Sequence, residues 1–256
     1  MTSAALRGVF RSLRLYHGPD APREAMDDLY AQFVAPDELV FDIGAHVGDR
    51  ISSFRRLGAR VVALEPQPLL MRALRLIHGR DPDVLLLPAA LAEKPGELRM
   101  RINTANPTVS SASDNFVFRA DGAFGWEGQE WDTEIMVPAL TLEMLIAKVG
   151  PPQFIKIDVE GFEDQVLEGL TQLVPTLSFE FTMISIDVAL RCLDILAARA
   201  DYRFDVAMGE SQKLVFNRFI PVYEMADFLK RLPPEANSGD IYARLYGPAQ
   251  NFDVEI

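Results

Sequence analysis

Short apolar runs alternate with segments of helical period along most of the chain. The runs lie at 39–43, 61–65, 84–89, 154–158, 176–182, 203–208 and 241–246. Helical patterns fall between many of them, near 49–57, 67–78, 162–173, 185–199 and 222–231. The runs are apolar without strict alternation, which suggests parallel strands covered on both faces. Strand and helix in turn predict an α/β fold, a doubly wound and mostly parallel sheet. There is no internal repeat and no low-complexity tract.

Residues 96–138 break this rhythm. A hairpin-like arm, "ELRMRIN", leads into "TANPTVSSASDNFVFRADGAFGWEGQEWDTE". So long a passage without clear period is usually a functional loop or a disordered one. Phe116, Phe118, Phe124, Trp126 and Trp131 favour order. Its place past the third strand makes it the expected cover of an acceptor site. At the start of the chain, Leu6, Phe10 and Leu13 fit the apolar face of a surface helix. Arg7, Arg11 and Arg14 stand there without an acid. A transit peptide is the sharper reading of that composition, a surface helix the plainer one.

Composition narrows the function classes. The 256 residues are 49% apolar, enough for a sizeable core. A net charge of −12 repels phosphate backbones and argues against general nucleic-acid binding. The longest apolar run, "VLLLPAALA" at 84–92, is too short to span a bilayer. Cys192 is the only cysteine, so there is no internal disulfide and no zinc site built on thiolates. It falls in a helical pattern and is expected to be a buried, inert thiol. These features favour the cytoplasm.

The segment "LVFDIGAHVGDRI" at 39–51 carries the first chemistry. Ligands of open α/β sheets bind outside the carboxyl ends of the strands. Gly44 and Gly48 fall at such an end, where glycine allows a sharp turn and a close backbone approach. The dinucleotide pattern Gly-x-Gly-x-x-Gly is absent, and no Gly-Lys-Ser/Thr follows. The second strand ends in "VVALEPQP", which sets Glu65 21 residues after Gly44. An acid at that distance suits the two hydroxyls of a ribose. Pro66 ends the strand. Together these features predict an adenosine-containing cofactor without a pyrophosphate, and S-adenosylmethionine fits. Asp42 and His46 would face its methionine part.

Four blocks in order then carry a resemblance: "FDIGAHVGDRI", "ALEPQP", "PAALAEKPGELRM" and "FIKIDVEGFEDQVLEGL". They resemble the FkbM-type methyltransferases from about residue 38 to 182, and "GDIYARL" at 239–245 resembles the family's last strand. The resemblance implies a class I methyltransferase fold, a seven-stranded sheet with an antiparallel last strand. It also implies methyl transfer from S-adenosylmethionine to oxygen, typically a hydroxyl of a sugar, glycolipid or polyketide-like product. His46 and Gln67 stand where the family often has Asn. Residues 1–36 then read as a helical lead-in and 37–256 as the methyltransferase domain, with an inserted loop at 103–138.

"FIKIDVEG" has an unusual tip. Read as a strand, it points Lys156, Asp158 and Glu160 one way and Ile157 and Val159 the other. Such charges are costly on a central strand unless paired or functional. Glu180, in "LSFEFT", adds another acid at comparable height. A Lys156–Asp158 pair holding two strands in register is one reading. The catalytic reading is a polar floor in which a carboxylate takes the acceptor hydroxyl's proton. Which of Asp158, Glu160 and Glu180 does so stays open. These oxygens also suit Mg²⁺; metal-free chemistry is preferred, because Lys156 already supplies a positive charge.

Smaller candidates complete the set. Ala89 and Ala90 leave room for an adenine ring. Ser110 and Ser111 can hydrogen-bond substrate or cofactor, and Trp126 and Trp131 can stack on a sugar face. His17 and His78 read as surface residues without partners. The expected acceptor is a small molecule or glycan. N- or C-methylation, or a non-catalytic cofactor-binding subunit, remain the rival functions.

Overall fold

The computed structural model describes residues 3–19, 21 and 23–247, so the outer ends of both predicted domain spans lie outside the described residues. In chain order the elements are α1 (Ser3–His17), α2 (Arg23–Tyr30), β1 (Leu39–Ile43), α3 (Asp49–Arg56), β2 (Arg60–Leu64), α4 (Pro68–His78), β3 (Val84–Leu87), β4 (Ala90–Leu91) and β5 (Gly96–Ile102). Next come α5 (Asp114–Ala120), β6 (Thr133–Leu140), α6 (Leu142–Val149), β7 (Phe154–Ile157), α7 (Glu163–Glu168), β8 (Thr176–Thr182), α8 (Ile186–Arg199), β9 (Tyr202–Met208), α9 (Val222–Arg231) and β10 (Ser238–Leu245).

Seven strands form the main sheet in the order β3-β2-β1-β7-β8-β10-β9. The pairs β2–β3, β1–β2, β1–β7 and β7–β8 are parallel, and β10 is antiparallel to both β8 and β9. This is the predicted class I arrangement with its reversed last strand. Every residue of β1 and β7 is buried. One apolar layer, with Phe41, Ile157 and Leu193, covers one face. Another, with Tyr30, Phe54, Phe154 and Tyr242, covers the other. Two covered faces explain why these strands lack alternation.

Strand order reverses between β1 and β7, and ligand crevices open at such a reversal. β7 stops at Ile157, so alternation does not extend to Glu160 as the sequence suggested. Asp158 N–H still reaches the Ile43 carbonyl at 2.9 Å. Glu160 then takes a left-handed conformation, φ 56°, and that turn sets its direction. β3 ends before Pro88, which has no N–H for the ladder.

The irregular region contains more regular structure than its sequence suggested. β5 pairs with β6 antiparallel from Gly96↔Ala139 to Ile102↔Thr133, and β4 adds to the other edge of β6. Between β5 and β6, α5 and a buried cluster of Val109, Phe116, Ala120 and Trp126 hold the passage together. α1 packs Val9 against Val47, Leu70 and Ala73 and is part of the body. Cys192 is fully buried, and burial pushes its thiol well above the usual range.

Candidate active site

The crevice at the β1–β7 ends is a cavity lined from both sides. Asp42, Gly44, His46, Glu65, Pro66 and Ala90 line one wall. Lys156, Asp158, Glu160 and Glu180 line the other. Ten of the predicted site residues therefore share one space. Gly48, Ser111 and Trp126 do not line it.

The first wall is built by backbone. Gly44 and Ala45 donate their N–H groups to the Leu64 carbonyl, at 3.0 and 2.9 Å, so the turn after β1 is tied to the end of β2. Gly44 has φ +87°, and a Cβ there would lie 1.8 Å from the Asp158 carbonyl oxygen. Only glycine lets the β7 end come so near. Glu65 is 3% exposed. One of its carboxylate oxygens accepts from His46 N–H at 3.0 Å, the other from Gln67 N–H at 2.7 Å. Burial pushes its pKa up to about 8. Asp42 is buried with Oδ2 unpartnered. Burial, and then the charge of Asp49, push it up to about 7. Burial lowers His46 to about 4, so its ring is neutral.

Side chains build the second wall. Lys156 is 1% exposed. Its Nζ donates to Asp158 at 3.1 Å and to Asp240 at 2.8 Å. The Asp158 side chain is 30% exposed and faces the cavity. Burial works to raise its pKa, but Lys156 and Arg50 hold it below the usual carboxylate range. Burial and then the Asp158 charge push Glu160 and Glu180 well above it. The wall thus sets a carboxylate that Lys156 and Arg50 hold ionised beside two acids in which burial and the Asp158 charge favour the protonated form. Carboxylate oxygens of Asp158, Glu160 and Glu180 lie within 4.8 Å of one another. Glu163 receives the N–H groups of Val159 at 3.0 Å and Gly161 at 3.3 Å, pinning the turn that carries Glu160.

Residues 42–204 match the family described as the methyltransferase FkbM domain. The chain belongs to the FkbM methyltransferase family. It is therefore a methyltransferase, and S-adenosylmethionine is its cofactor. No curated protein matches the chain. Among solved structures, the FkbM chain is similar to an O-methyltransferase from Bacillus cereus in complex with SAH, at 13% identity and TM-score 0.45, covering 96% of this chain and 92% of that one. It is also similar to a TehB-like SAM-dependent methyltransferase from Corynebacterium glutamicum, at 10% identity and TM-score 0.46, covering 93% and 94%. A third is precorrin-6y C5,15-methyltransferase from Geobacter metallireducens, at 13% identity and TM-score 0.45, covering 88% and 87%.

The predicted residues outside the cavity of this FkbM domain have other surroundings. Gly48 precedes α3 at φ 85°, and its carbonyl accepts from His78 Nε2 at 3.0 Å. Ser111 is buried and donates to the Glu160 carbonyl at 2.6 Å. Trp126 packs edge-on against Phe116 at 5.1 Å, and Trp131 Nε1 donates to the Val109 carbonyl at 2.8 Å. Pro107, Thr108, Ser110 and Ala112 are the part of the passage that reaches the cavity. His17 and His78 are not free surface residues, since each ring bonds to a carbonyl before α3, Val47 for His17 and Gly48 for His78.

Sequence reasoning missed Tyr16, Asp49, Arg50 and Glu210, which also line the cavity, and Asp240, the second partner of Lys156. Arg50 stands just beyond the glycine turn, so closer attention to that block would have found it. Tyr16 and Glu210 lie in segments whose local pattern marks nothing, and Asp240 lies in the last-strand block, where nothing local ties it to Lys156. Among the described residues, no helix is long and apolar enough to cross a membrane.

Proposed function

We propose that this FkbM domain methylates a hydroxyl oxygen on a small molecule or glycan, with a sugar, glycolipid or polyketide-like product as the class. The observation that carries the reading is the second wall: an ionised carboxylate, Asp158, facing the cavity beside Lys156. Methyl transfer to oxygen requires that the acceptor lose a proton, and Asp158 is in position to take it.

The residues of the first wall fit the cofactor. A carboxylate has about four lone-pair positions, and Glu65 uses two on backbone N–H groups. Two remain for a ribose diol. Asp42 has an unpartnered oxygen for the ammonium of the methionine part. Ala90, which lines the cavity, leaves space for the base. S-adenosylmethionine supplies a methyl on a sulfonium that needs no protonation to leave. With the cofactor bound, Asp158 would take the proton that the acceptor hydroxyl loses on methylation. Glu160 and Glu180 orient the hydroxyl by hydrogen bonds. Lys156 keeps Asp158 ionised until the proton arrives.

One observation favours a second reading, in which Asp158, Glu160 and Glu180 bind Mg²⁺, since their oxygens converge and suit a hard cation. The two differ in solution. Cofactor labelled in its methyl group is incubated with the protein and an extract of the source cells. The product is then identified by mass and carbon NMR, with and without EDTA. A labelled O-methyl formed equally with EDTA supports the first reading. Loss with EDTA and recovery with Mg²⁺ supports the second. A label on nitrogen or carbon removes the oxygen assignment.

A further inference from the structure

Beside the methyl-transfer cavity lies a wider one of about 650 Å³. The two share Tyr16, Asp49, Arg50 and Glu210 in their walls. The outer cavity is bounded by α1 and the start of α2, and Arg11, Arg14 and Arg23 line it. Its charge runs against the rest of the molecule. The chain has a net charge of −12, yet α1 carries Arg7, Arg11 and Arg14 and no acid.

The partners of these cations decide what the cavity can bind. Arg50 is matched by Asp49 and Glu210, and Arg56 by Asp27 at 2.6 and 2.7 Å. The acids Asp49 and Glu210 are thus occupied. Among the described residues, Arg11 donates to the Ala105 carbonyl at 2.8 Å, and Arg23 to the carbonyls of His17 and Gly18, at 2.7 and 3.2 Å. Among the described residues, Arg11, Arg14 and Arg23 have no carboxylate in ion-pair contact. Among the described residues, three guanidinium groups therefore surround one space without a matching carboxylate. A guanidinium presents a planar fork of donors that suits phosphate oxygens, and it stays charged at any working pH.

We propose that the outer cavity holds a phosphate or diphosphate group of the methyl acceptor. The hydroxyl to be methylated then lies past Tyr16 and Arg50, toward Asp158. The acceptor would be a phosphorylated glycan, its phosphate held on a free ester or on a lipid headgroup. This rests on the inner cavity being the methyl-transfer site and adds the substrate class to that reading.

The test compares wild type with an Arg11→Gln/Arg14→Gln variant. Both side chains are exposed and outside the inner cavity. A Lys148→Gln/Lys230→Gln variant makes the same change in net charge at exposed positions elsewhere. Titration calorimetry with inorganic pyrophosphate, and sedimentation with phosphatidylglycerol vesicles against phosphatidylcholine vesicles, are the two arms. Unchanged thermal unfolding shows that each variant folds. The arginine variant should bind pyrophosphate roughly tenfold or more weakly than wild type, and the lysine variant about as well as wild type. That result supports a free phosphate ester. Vesicle binding lost only in the arginine variant, without pyrophosphate binding, assigns the phosphate to a lipid headgroup. No binding in either arm, or equal loss in both variants, overturns the proposal. SAH affinity is measured in parallel. If wild type fails to bind SAH, the inner-cavity assignment fails, whatever the phosphate arms show.

Discussion

The two walls of the cavity hold their acids by different means. At the β1–β2 mouth, Glu65 is fixed by two backbone N–H groups. At the β7–β8 mouth, Asp158 is fixed by the Lys156 side chain, which Asp240 anchors in turn. Backbone donors set a shape and leave the acid's remaining lone pairs for a neutral hydroxyl. A buried ammonium sets a charge and keeps the acid beside it ionised. The first arrangement suits recognition of a cofactor that is released unchanged in its ribose. The second suits a step in which a proton moves.

If this contrast holds, damage to the second wall should affect rate and damage to the first should affect affinity. The largest effect is expected from Asp158→Asn, which keeps shape but removes the proton acceptor. Turnover should fall by about 10²–10⁴-fold with cofactor affinity little changed. Full activity in a folded Asn variant would leave Asp158 as a structural partner of Lys156. Next comes Lys156→Ala, which strands Asp158 and Asp240 without their cation. Breaking a buried pair in this way costs about 3–5 kcal/mol, measurable by urea unfolding. A loss below about 1 kcal/mol would mean that water already screens the pair.

The first wall should respond more gently. Glu65→Ala removes the acid proposed to hold the ribose and should weaken S-adenosylmethionine binding by about 1–3 kcal/mol in calorimetry. Unchanged affinity would take Glu65 out of the site.

The last effect concerns pH. Glu65 rises from 4.5 to about 8, and Asp42 from 3.8 to about 7. Both folded values lie above the unfolded ones, so between them the native state binds more protons. The stability these groups contribute is whole below the unfolded values and is lost as pH rises through 7 and 8. Each gives at most about 1.4 kcal/mol per pH unit. The unfolding free energy of the ligand-free protein should therefore decline from pH 5 to about 8. Glu65→Gln should flatten part of that slope. An identical slope in the variant would show that Glu65 is ionised throughout.

Legibility followed the same division. Gly44 and Glu65 were readable because one turn and one strand end, 21 residues apart, hold the information. Lys156 and Asp158 stood out as charges in an apolar run, but their anchor Asp240 is 84 residues away from Lys156 and carries no local mark. Ser111 and Trp126 were drawn from a passage without period, where nothing in the sequence says which side chains turn inward. β6 escaped for a similar reason. "TEIMVPAL" becomes a strand by pairing with β5 and β4, and Pro138 disguises it.

The sequence by itself determined the doubly wound sheet, its glycine turn and the family, because buried strands and strand-end residues follow from local composition and period. The tertiary structure decided which charges meet. It brought β10 between β8 and β9, and so Asp240 to Lys156. It turned Glu160 by a left-handed backbone where strand alternation ends. It also laid α1 against the body, so that Tyr16 closes the inner cavity and Arg11 and Arg14 line the outer one. Local pattern specifies which face of an element is apolar, whereas contacts between distant elements exist only once the sheet has assembled and buried them together.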